Sequence, residues 1–336
     1  MISARIEAKR LAILGILRSS ERPLSGSKIT TELMGLGYDM SERTVRHYLI
    51  NMDREGLTEN FGKRGRKITA KGMTELEASR IVERVGFFSA RIDRMTYLSD
   101  FDLPSQSGKV VVNITHVSPQ DLAPRIDQIC QVYEKGYAVG SLVSLLKPGE
   151  RLGHIVTPAD MIGIGTVCSI SFNAVLLQYG IPTHSRFGGL LELHEGRPTR
   201  FVEMITYAGT SIDPLEVFIR SGMTDYLGAI RNGNGRVGAS FREFPAESRD
   251  QVTHLAEKME KVGLGGFMRI GQPGQPLLEI PVSEGRVGAI FVGGLNPVSI
   301  LEETGVRVYS RAMAGLLDFS RLFHYEQILP RIQQLS

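Results

Sequence analysis

The chain has 336 residues, of which 42% are hydrophobic and 22% are charged, proportions that exclude extensive disorder. Two cysteines, Cys130 and Cys168, are too few for a disulfide framework, and the lack of a C-x-x-C pair excludes a zinc ribbon. The formal net charge is +3, but residues 1–80 hold 15 Lys and Arg against 10 Asp and Glu, whereas the remainder holds 24 against 26. This distribution is typical of a basic domain that contacts a polyanion, joined to one that does not.

Neither secretion nor membrane insertion is expected. The apolar run at residues 11–17 is short, and no cleavage pattern follows it. Residues 161–183 carry no formal charge and are long enough to cross a bilayer, but they contain Gly163, Gly165, Asn173 and Pro182. We predict a buried strand, a Gly-rich turn and a helix there, in a cytoplasmic protein with roughly two or three domains.

Residues 1–72 are predicted to form three helices and a β-hairpin. The inward faces of the helices are formed by Ile6, Ile13, Leu14 and Leu17, by Ile29 and Leu33, and by Val45, Tyr48, Leu49 and Met52. Ser25 and Ser41 are suitable N-caps for the second and third helices, because a serine hydroxyl accepts a hydrogen bond from an unpaired backbone N–H. A Gly-containing loop, residues 61–66, suits the turn of the hairpin.

This arrangement is the pattern of a winged helix-turn-helix domain. In the third helix, Arg43, His47, Ile50 and Arg54 point away from the inward face. The residues expected to read bases in double-stranded DNA are Arg43, Thr44, Arg46 and His47, and those expected to contact phosphate are Lys63, Arg64, Arg66 and Lys67. The alternatives are a small helical bundle with a solvated charged face and, for His47, an ordinary surface histidine.

Residues 73–104 are predicted to form a connecting or dimerisation helix. A heptad seam of about two and a half heptads is formed by Ala78, Ile81, Val85, Phe88, Ile92 and Met95. A homodimer suits a protein that reads two half-sites, but the same spacing also fits a helix that packs on the body of its own chain. The segment 104–108 is expected to mark the start of the following domain, residues 105–336.

The second domain contains an internal repeat. Residues 162–186 match residues 287–311 without a gap, and Val110 and Gly136 correspond to Val237 and Gly263. The repeats extend over about 109–193 and 236–319. Each is predicted to contain strands at 109–115, 137–146, 152–157, 161–168 and 181–186, with helices at 119–135 and 172–179, or the equivalent positions. The fold class is therefore α+β, with two related repeats after the winged helix.

A segment between the repeats, residues 207–220, offers a further site. Asp213-Pro214 is expected to begin a helix, and Thr210 and Ser211 lie just before it. Such hydroxyl and N–H groups at a helix N-terminus bind anions, although they also serve as plain caps.

Together these features resemble one family. The winged helix, the doubled body, the segment Ala-Gly-Thr-Ser-Ile-Asp-Pro-Leu-Glu at 208–216 and Val292-Gly-Gly-Leu-Asn-Pro297 are similar to the NrpR-type nitrogen-regulation repressors of methanogenic archaea. The resemblance covers essentially the whole chain. It implies a homodimeric repressor of nitrogen-assimilation genes that 2-oxoglutarate releases from a palindromic operator. Longer members carry two such bodies, so a single-body chain leaves the effector and target genes open.

The chemistry of a small anionic metabolite predicts the kind of site it needs. Two carboxylates require Arg side chains or clustered N–H donors, and a keto oxygen requires a further donor. The candidate ligand-binding residues are Thr166, Ser169, Asn173, His184, Arg186, Thr210, Ser211 and Arg311. Arg186 and Arg311 hold equivalent places in the two repeats and are expected to approach one another. The alternative is that both form structural salt bridges or line the dimer contact.

Enzymatic activity, metal binding and a cofactor are not expected. No phosphate-binding loop, G-x-S-x-G or H-E-x-x-H motif is present, and the seven histidines lack the spacing of metal ligands. Gly163-Ile-Gly165-Thr-Val-Cys168 lacks the third glycine of a dinucleotide-binding fingerprint. The alternative function is a metabolite-binding protein or enzyme whose winged helix binds another protein. DNA, a small anionic metabolite and a second copy of the chain are the expected partners.

Overall fold

A computed structural model of the chain describes residues 2–20, 22–35, 38–76 and 87–334. They belong to two compact units, Met1–Gly86 and Phe87–Ser336, called here the head and the body. The head contains, in chain order, α1 (Ile2–Arg18), α2 (Gly26–Gly35), α3 (Glu42–Arg54), β1 (Thr58–Asn60), β2 (Arg66–Ile68) and α4 (residues 70–76). The predicted winged helix-turn-helix is confirmed.

The predicted inward faces of the three helices form the core of the head. Its buried members include Ile13, Leu14, Leu17, Ile29, Leu33, Val45, Leu49 and Met52, with Tyr48 packed against them. The side chain of Ile6 lies outside the described part of the molecule. Ser41 caps α3 as predicted, because its hydroxyl accepts a hydrogen bond of 3.2 Å from the N–H of Thr44.

The wing is the hairpin of β1 and β2, joined by a short helical turn at Gly62–Arg64. Its return strand also pairs with Leu24, two residues before the first residue of α2. Gly65 makes this approach possible: its φ is +106°, and a Cβ atom there would lie 2.2 Å from the carbonyl oxygen of Leu24. The hairpin is therefore fixed to the segment before α2 at the turn end of β2.

The body is an α+β unit. Its strands are β3 (Lys109–Val117), β4 (Leu142–Leu146), β5 (Arg151–Leu152), β6 (Ile155–Val156), β7 (Ile162–Val167), β8 (His184–His194), β9 (Arg197–Thr206), β10 (Gly235–Pro245), β11 (Phe267–Ile270), β12 (Arg286–Val292), β13 (Tyr309–Asp318) and β14 (Phe323–His324). Its α-helices are α5 (Phe88–Leu98), α6 (Pro119–Leu122), α7 (Ile126–Glu134), α8 (Ile170–Gln178), α9 (Pro214–Arg220), α10 (Tyr226–Asn232), α11 (Arg249–Lys261), α12 (Ser299–Glu303) and α13 (Ile328–Gln333). The predicted fold class is confirmed.

Two five-stranded antiparallel sheets form the body, and they exchange strands between the repeats. One has the order β13-β3-β7-β4-β14 and the other the order β11-β12-β10-β8-β9. The long strand that ends the first repeat, β8, therefore pairs with β10 of the second, and β13 pairs with β3 of the first. The order of elements predicted for each repeat did not specify which sheet each strand joins, and the structure shows this exchange.

The register of the sheets supports the repeat. Val112 lies opposite Val167, and Ala239 lies opposite Val292, so the equivalent pairs are offset by 127 and 125 residues. Thr115 opposite Ser310 and Arg242 opposite Ser185 obey the same offsets. The two repeats are therefore related by a pseudo-two-fold axis.

The prediction of a continuous heptad seam along the connector is wrong in its second half. Phe87 precedes α5 in an extended conformation (φ −74°, ψ 147°), so no single helix runs through it to Met95. Phe88 and Ile92 are buried in the body, and the ring of Phe88 stacks on Tyr207 at 5.6 Å. Residues Ala78, Ile81 and Val85 lie outside the described residues. The alternative interpretation, packing on the same chain, holds for α5.

Two further boundaries differ from those predicted. The body begins at Phe87 rather than at residue 105, because α5 contributes to its core. The strand expected at 152–157 is a small hairpin, β5 and β6. Residues 170–176 of α8 are all buried, which explains the uncharged stretch around them.

Within the described residues, no helix is both long enough and apolar enough to cross a membrane.

The wing glycines provide a test of the head. We expect Gly65→Ala to lower the free energy of unfolding of the head by about 2–4 kcal/mol, because both the φ angle and the contact with Leu24 exclude a side chain. Gly62→Ala is the matched control: φ is +64° there but the space is open, so a loss of about 1 kcal/mol is expected. Urea unfolding followed by circular dichroism measures both, and equal losses would contradict the proposed contact.

Candidate functional site

The exposed face of α3 carries the predicted base-reading residues. Arg43 is exposed and makes no hydrogen bond or ion pair with any residue that the structure describes. Arg46 forms an exposed ion pair of 3.1 Å with Glu42, which is worth little in water. His47 lies 3.3 Å from the amide of Asn51. The hydroxyl of Thr44 lies 2.9 Å from that of Ser41, so it is engaged within the cap.

The wing residues fall into two groups. Lys63 and Arg64 are exposed on the turn between β1 and β2, and the Arg64 guanidinium lies 5.9 Å from the ring of Phe61. Arg66 instead forms a 2.9 Å ion pair with Asp53 of α3 and is mostly buried. The expected phosphate contact by Arg66 is therefore replaced by a structural one that fixes the wing to α3. Lys67 is half-buried on β2.

The structure brings Ser169 and Asn173 together around a residue that the sequence interpretation missed, Arg242. Its side chain is completely buried. One guanidinium nitrogen donates to the Ser169 carbonyl (2.8 Å) and to Oδ1 of Asn173 (2.5 Å), and the other donates to the Ser169 hydroxyl (2.5 Å). The guanidinium also lies 4.3 Å from the ring of Phe291.

Arg242 is a buried cation without a carboxylate partner among the described residues. Its Nε has no hydrogen-bond partner there either. Burial lowers its pKa to about 10, so the guanidinium remains charged at neutral pH. Such a charge is costly unless an anion compensates for it. The signal in the sequence was the charged pair Arg242-Glu243 in the otherwise uncharged run 237–244.

A small enclosed cavity, called here the axial cavity, lies on the pseudo-two-fold axis beside this cluster. Equivalent positions of the two repeats line it: Asn113 and Ser240, Cys168 and Gly293, Ser169 and Gly294, and Ile170 and Leu295. Phe88 and Ile92 of α5, together with Tyr207, Asp213, Leu215, Ala312 and Met313, complete the wall. Its volume of ≈20 Å³ suits about one water molecule.

The wall of the axial cavity contains a residue with a strained backbone, Met313, next to buried polar side chains. Met313 has a φ of +46°, which is unfavourable for a side chain of its size, and its N–H donates to the Asn113 side chain at 3.1 Å. The side-chain NH2 group of Asn113 donates to the hydroxyl of Thr166 at 3.2 Å. Thr166 is buried in this role and therefore supports the cavity without lining it.

Asp213 is the acidic residue of the axial cavity. Burial raises its pKa to about 7, and the neighbouring Glu216 carboxylate acts in the same direction. Its Oδ1 accepts a 2.6 Å hydrogen bond from the N–H of Leu215. This carboxylate therefore already occupies the N-terminus of α9, and the anion expected beside Thr210 and Ser211 has no place there. The Thr210 hydroxyl bonds to the backbone of Ile212.

An open cleft of ≈560 Å³ lies on the other side of Ile92. It is lined by Ser89, Ile92, Asp93, Thr183, His184, Ser185, Arg186, Phe187, Thr206 and Ala208. Asn173 links it to the Arg242 cluster, because its amide donates to the hydroxyl of Ser185 at 3.1 Å. The structure thus places His184 and Arg186 in the cleft, Ser169 in the wall of the axial cavity, and Asn173 between the two.

Both predicted arginines are engaged by carboxylates. Arg186 pairs with Glu243 at 2.6 Å and donates to the Pro281 carbonyl, whereas Arg311 lies 3.8 Å from Glu216. Glu243 is fully buried and also accepts hydrogen bonds from Ser283. These contacts favour the structural alternative over a ligand held between the two arginines.

Comparison with known proteins agrees with this architecture. The model of the NrpR regulatory domains NRD1 and 2 matches residues 85–324, and the model of the ribonuclease R winged-helix domain matches residues 11–76. The global nitrogen regulator NrpRI of Methanosarcina mazei is 34% identical over 322 residues, which cover 96% of this chain and 99% of that protein.

Two further proteins extend the comparison. The global nitrogen regulator NrpR of Methanococcus maripaludis is 33% identical over 92% of this chain, which spans only 54% of that longer protein. The crystal structure of a nitrogen repressor-like protein from Methanococcus jannaschii has a TM-score of 0.60 and 26% identity, and covers 71% of this chain and 99% of its own. This chain belongs to the NrpR family of nitrogen regulators, whose named members here are regulators and not enzymes.

The raised pKa of Asp213 predicts a pH dependence of stability. Its folded-state pKa of about 7 exceeds the ordinary value of 3.8, so the stability that it contributes is complete below about pH 4 and is lost as the pH rises through 7. We expect Asp213→Asn, which keeps an oxygen for the Leu215 N–H, to show a smaller loss of stability between pH 4 and pH 8.

Thermal unfolding at a series of pH values checks this prediction. Asp250→Asn is the control for the removal of one negative charge, because that side chain is 98% exposed. If wild type and Asp213→Asn lose stability in parallel across this range, the carboxyl group of Asp213 is not the group that titrates.

Proposed function

We propose that the chain is a cytoplasmic, DNA-binding transcriptional repressor of nitrogen-assimilation genes that acts as a homodimer. Its body senses a small anionic metabolite, with 2-oxoglutarate as the candidate that the family implies, and the bound metabolite releases the protein from DNA. The observation that carries the DNA-binding part is the face of α3, where Arg43 is exposed and unengaged beside Arg46 and His47. A capped helix with such a face fits the major groove.

The fully buried Arg242 supports the sensing part of the proposal. Its guanidinium bonds only to neutral oxygens, and its unpaired Nε leaves one donor unused. Ser240, two residues earlier on the same face of β10, lines the axial cavity. A carboxylate that enters the cavity would meet the hydroxyl of Ser169, which accepts a hydrogen bond from the desolvated Arg242 guanidinium behind it.

The size of the axial cavity connects ligand binding to a change of shape. A space of ≈20 Å³ cannot hold a five-carbon dicarboxylate, so binding must widen the cavity. Phe88 and Ile92, which form part of its wall, belong to the first helix of the body. Displacement of α5 would therefore reach the chain segment that leads to the head. A coupling of about 1–3 kcal/mol would weaken DNA binding roughly 5–150-fold.

The homodimer part of the proposal is supported by the way winged-helix repressors bind DNA. A two-fold symmetric dimer contacts the two half-sites of its operator. Because Phe88 and Ile92 are buried within one chain, they do not supply the dimer contact. The second half of the predicted heptad seam therefore does not form the dimer interface. That interface lies on another surface of the chain.

Arg43 and Arg64 are expected to affect DNA binding differently. Arg43→Ala should cost about 1–3 kcal/mol on the preferred operator and little on random duplex, because a base contact is lost. Arg64→Ala should weaken binding to all sequences alike and lower the slope of log K against log salt by about one, because a phosphate contact is lost.

Fluorescence anisotropy titrations with operator and random duplexes, at several salt concentrations, measure both effects. Arg249→Ala, a substitution in the body, is the control. Equal affinity of the wild-type protein for operator and random DNA at physiological salt would overturn the repressor function and favour a head that binds a protein.

Effector binding is tested by calorimetric titration of 2-oxoglutarate into the full chain, with and without operator DNA. We expect Arg242→Met to reduce the affinity for 2-oxoglutarate at least tenfold, because the charge that compensates the carboxylate is lost. Arg186→Met is the matched control, since its charge is already paired with Glu243.

The outcomes of this titration are distinct. Loss of binding in Arg186→Met with retention in Arg242→Met would place the ligand in the open cleft. No heat from wild type at millimolar ligand would exclude 2-oxoglutarate as the effector. Unchanged DNA affinity with the ligand bound would exclude the release mechanism.

A further inference from the structure

An aliphatic side chain lies at the centre of the cationic face of α3. Ile50 is 39% exposed, whereas Val45, Leu49 and Met52 of the same helix are completely buried. A single exposed isoleucine needs no explanation by itself, so the position of this one on the helix decides its meaning.

Helix geometry places Ile50 in line with the charged residues that face outward. Positions 43, 47, 50 and 54 follow the spacing 4, 3, 4 and therefore form one stripe, opposite the buried one. Arg54 in this stripe and Arg46 on its flank lie four residues after and before Ile50, and both are exposed. The apolar group is thus flanked on both sides by groups that attract a polyanion.

The chemistry of the duplex identifies the matching surface. Base pairs present hydrogen-bond donors and acceptors in the major groove, and thymine alone adds an apolar group, its C5 methyl. We infer that Ile50 contacts the C5 methyl group of a thymine in each half-site and is a specificity-determining residue of the head. The inference rests on the proposed DNA-binding function, and the flanking arginines direct this stripe to the duplex.

The test removes the methyl group from the DNA instead of the protein. An operator is first selected from random duplexes with the full-length protein. Each thymine of the half-site is then replaced in turn by deoxyuridine, which pairs identically but lacks the methyl group. We expect wild type to lose affinity about fourfold per half-site at one position, which equals about 0.8 kcal/mol for one buried methyl group.

Protein variants complete the cycle. Ile50→Ala should bind the thymine operator about fourfold more weakly per half-site and should show no further loss with deoxyuridine at that position. Ile50→Val should lie between the two. The salt dependence should stay unchanged, because no phosphate contact is removed. Leu329→Ala, which truncates an equally exposed aliphatic residue of the body, should behave as wild type.

Each remaining outcome overturns the inference. It fails if wild type binds its operator specifically but tolerates deoxyuridine at every thymine, or if the selected half-site contains no thymine. It also fails if Ile50→Ala keeps the wild-type response to the methyl group. If no operator is selected at all, the proposed repressor function fails with it, so the two failures are distinguishable.

Discussion

The exchange of one strand between the two sheets is the constraint on which the body depends. β8 ends the first repeat but pairs with β10, and β13 ends the second repeat but pairs with β3. The backbone hydrogen bonds of both strands therefore join the repeats, and neither sheet is complete without the other repeat. The same exchange brings β3 and β10 to the pseudo-two-fold axis, where equivalent residues of both repeats enclose the axial cavity.

The two repeats have the same backbone fold, but different side chains occupy their equivalent positions near this axis. By the offsets of the repeat, the equivalents of Ser169 and Asn173 are Gly294 and Val298, and the equivalent of Arg242 is Thr115. A buried cation therefore approaches the axial cavity from one side only. Equivalent residues of both repeats form the cavity wall, whereas the buried cation beside it belongs to the second repeat alone.

The sequence was sufficient where a local pattern determines the structure. The stripes of α3, its Ser41 cap and the offset of the repeats follow from periodicity, capping and self-similarity, and the structure bears them out. The strand exchange was not predictable, because a repeat offset is the same whichever sheet a strand joins. Arg242 was missed because its partners lie 69 and 73 residues away. Phe88 was misassigned since heptad spacing describes any helix with one buried face, whatever covers that face.

The burial of α5 in the body explains why the predicted dimerisation seam was wrong in its second half. A helix that only joined the head to a partner subunit would have no reason to bury Phe88 and Ile92 in the wall of a cavity inside its own chain. Burial there makes the position of α5 depend on the content of the cavity, because close-packed walls respond to an added volume by moving as a unit. A ligand changes the equilibrium between two arrangements only as far as it binds one of them better. In the proposed mechanism the axial cavity meets that condition, because its ≈20 Å³ suits about one water molecule and a metabolite-sized anion would require a wider arrangement.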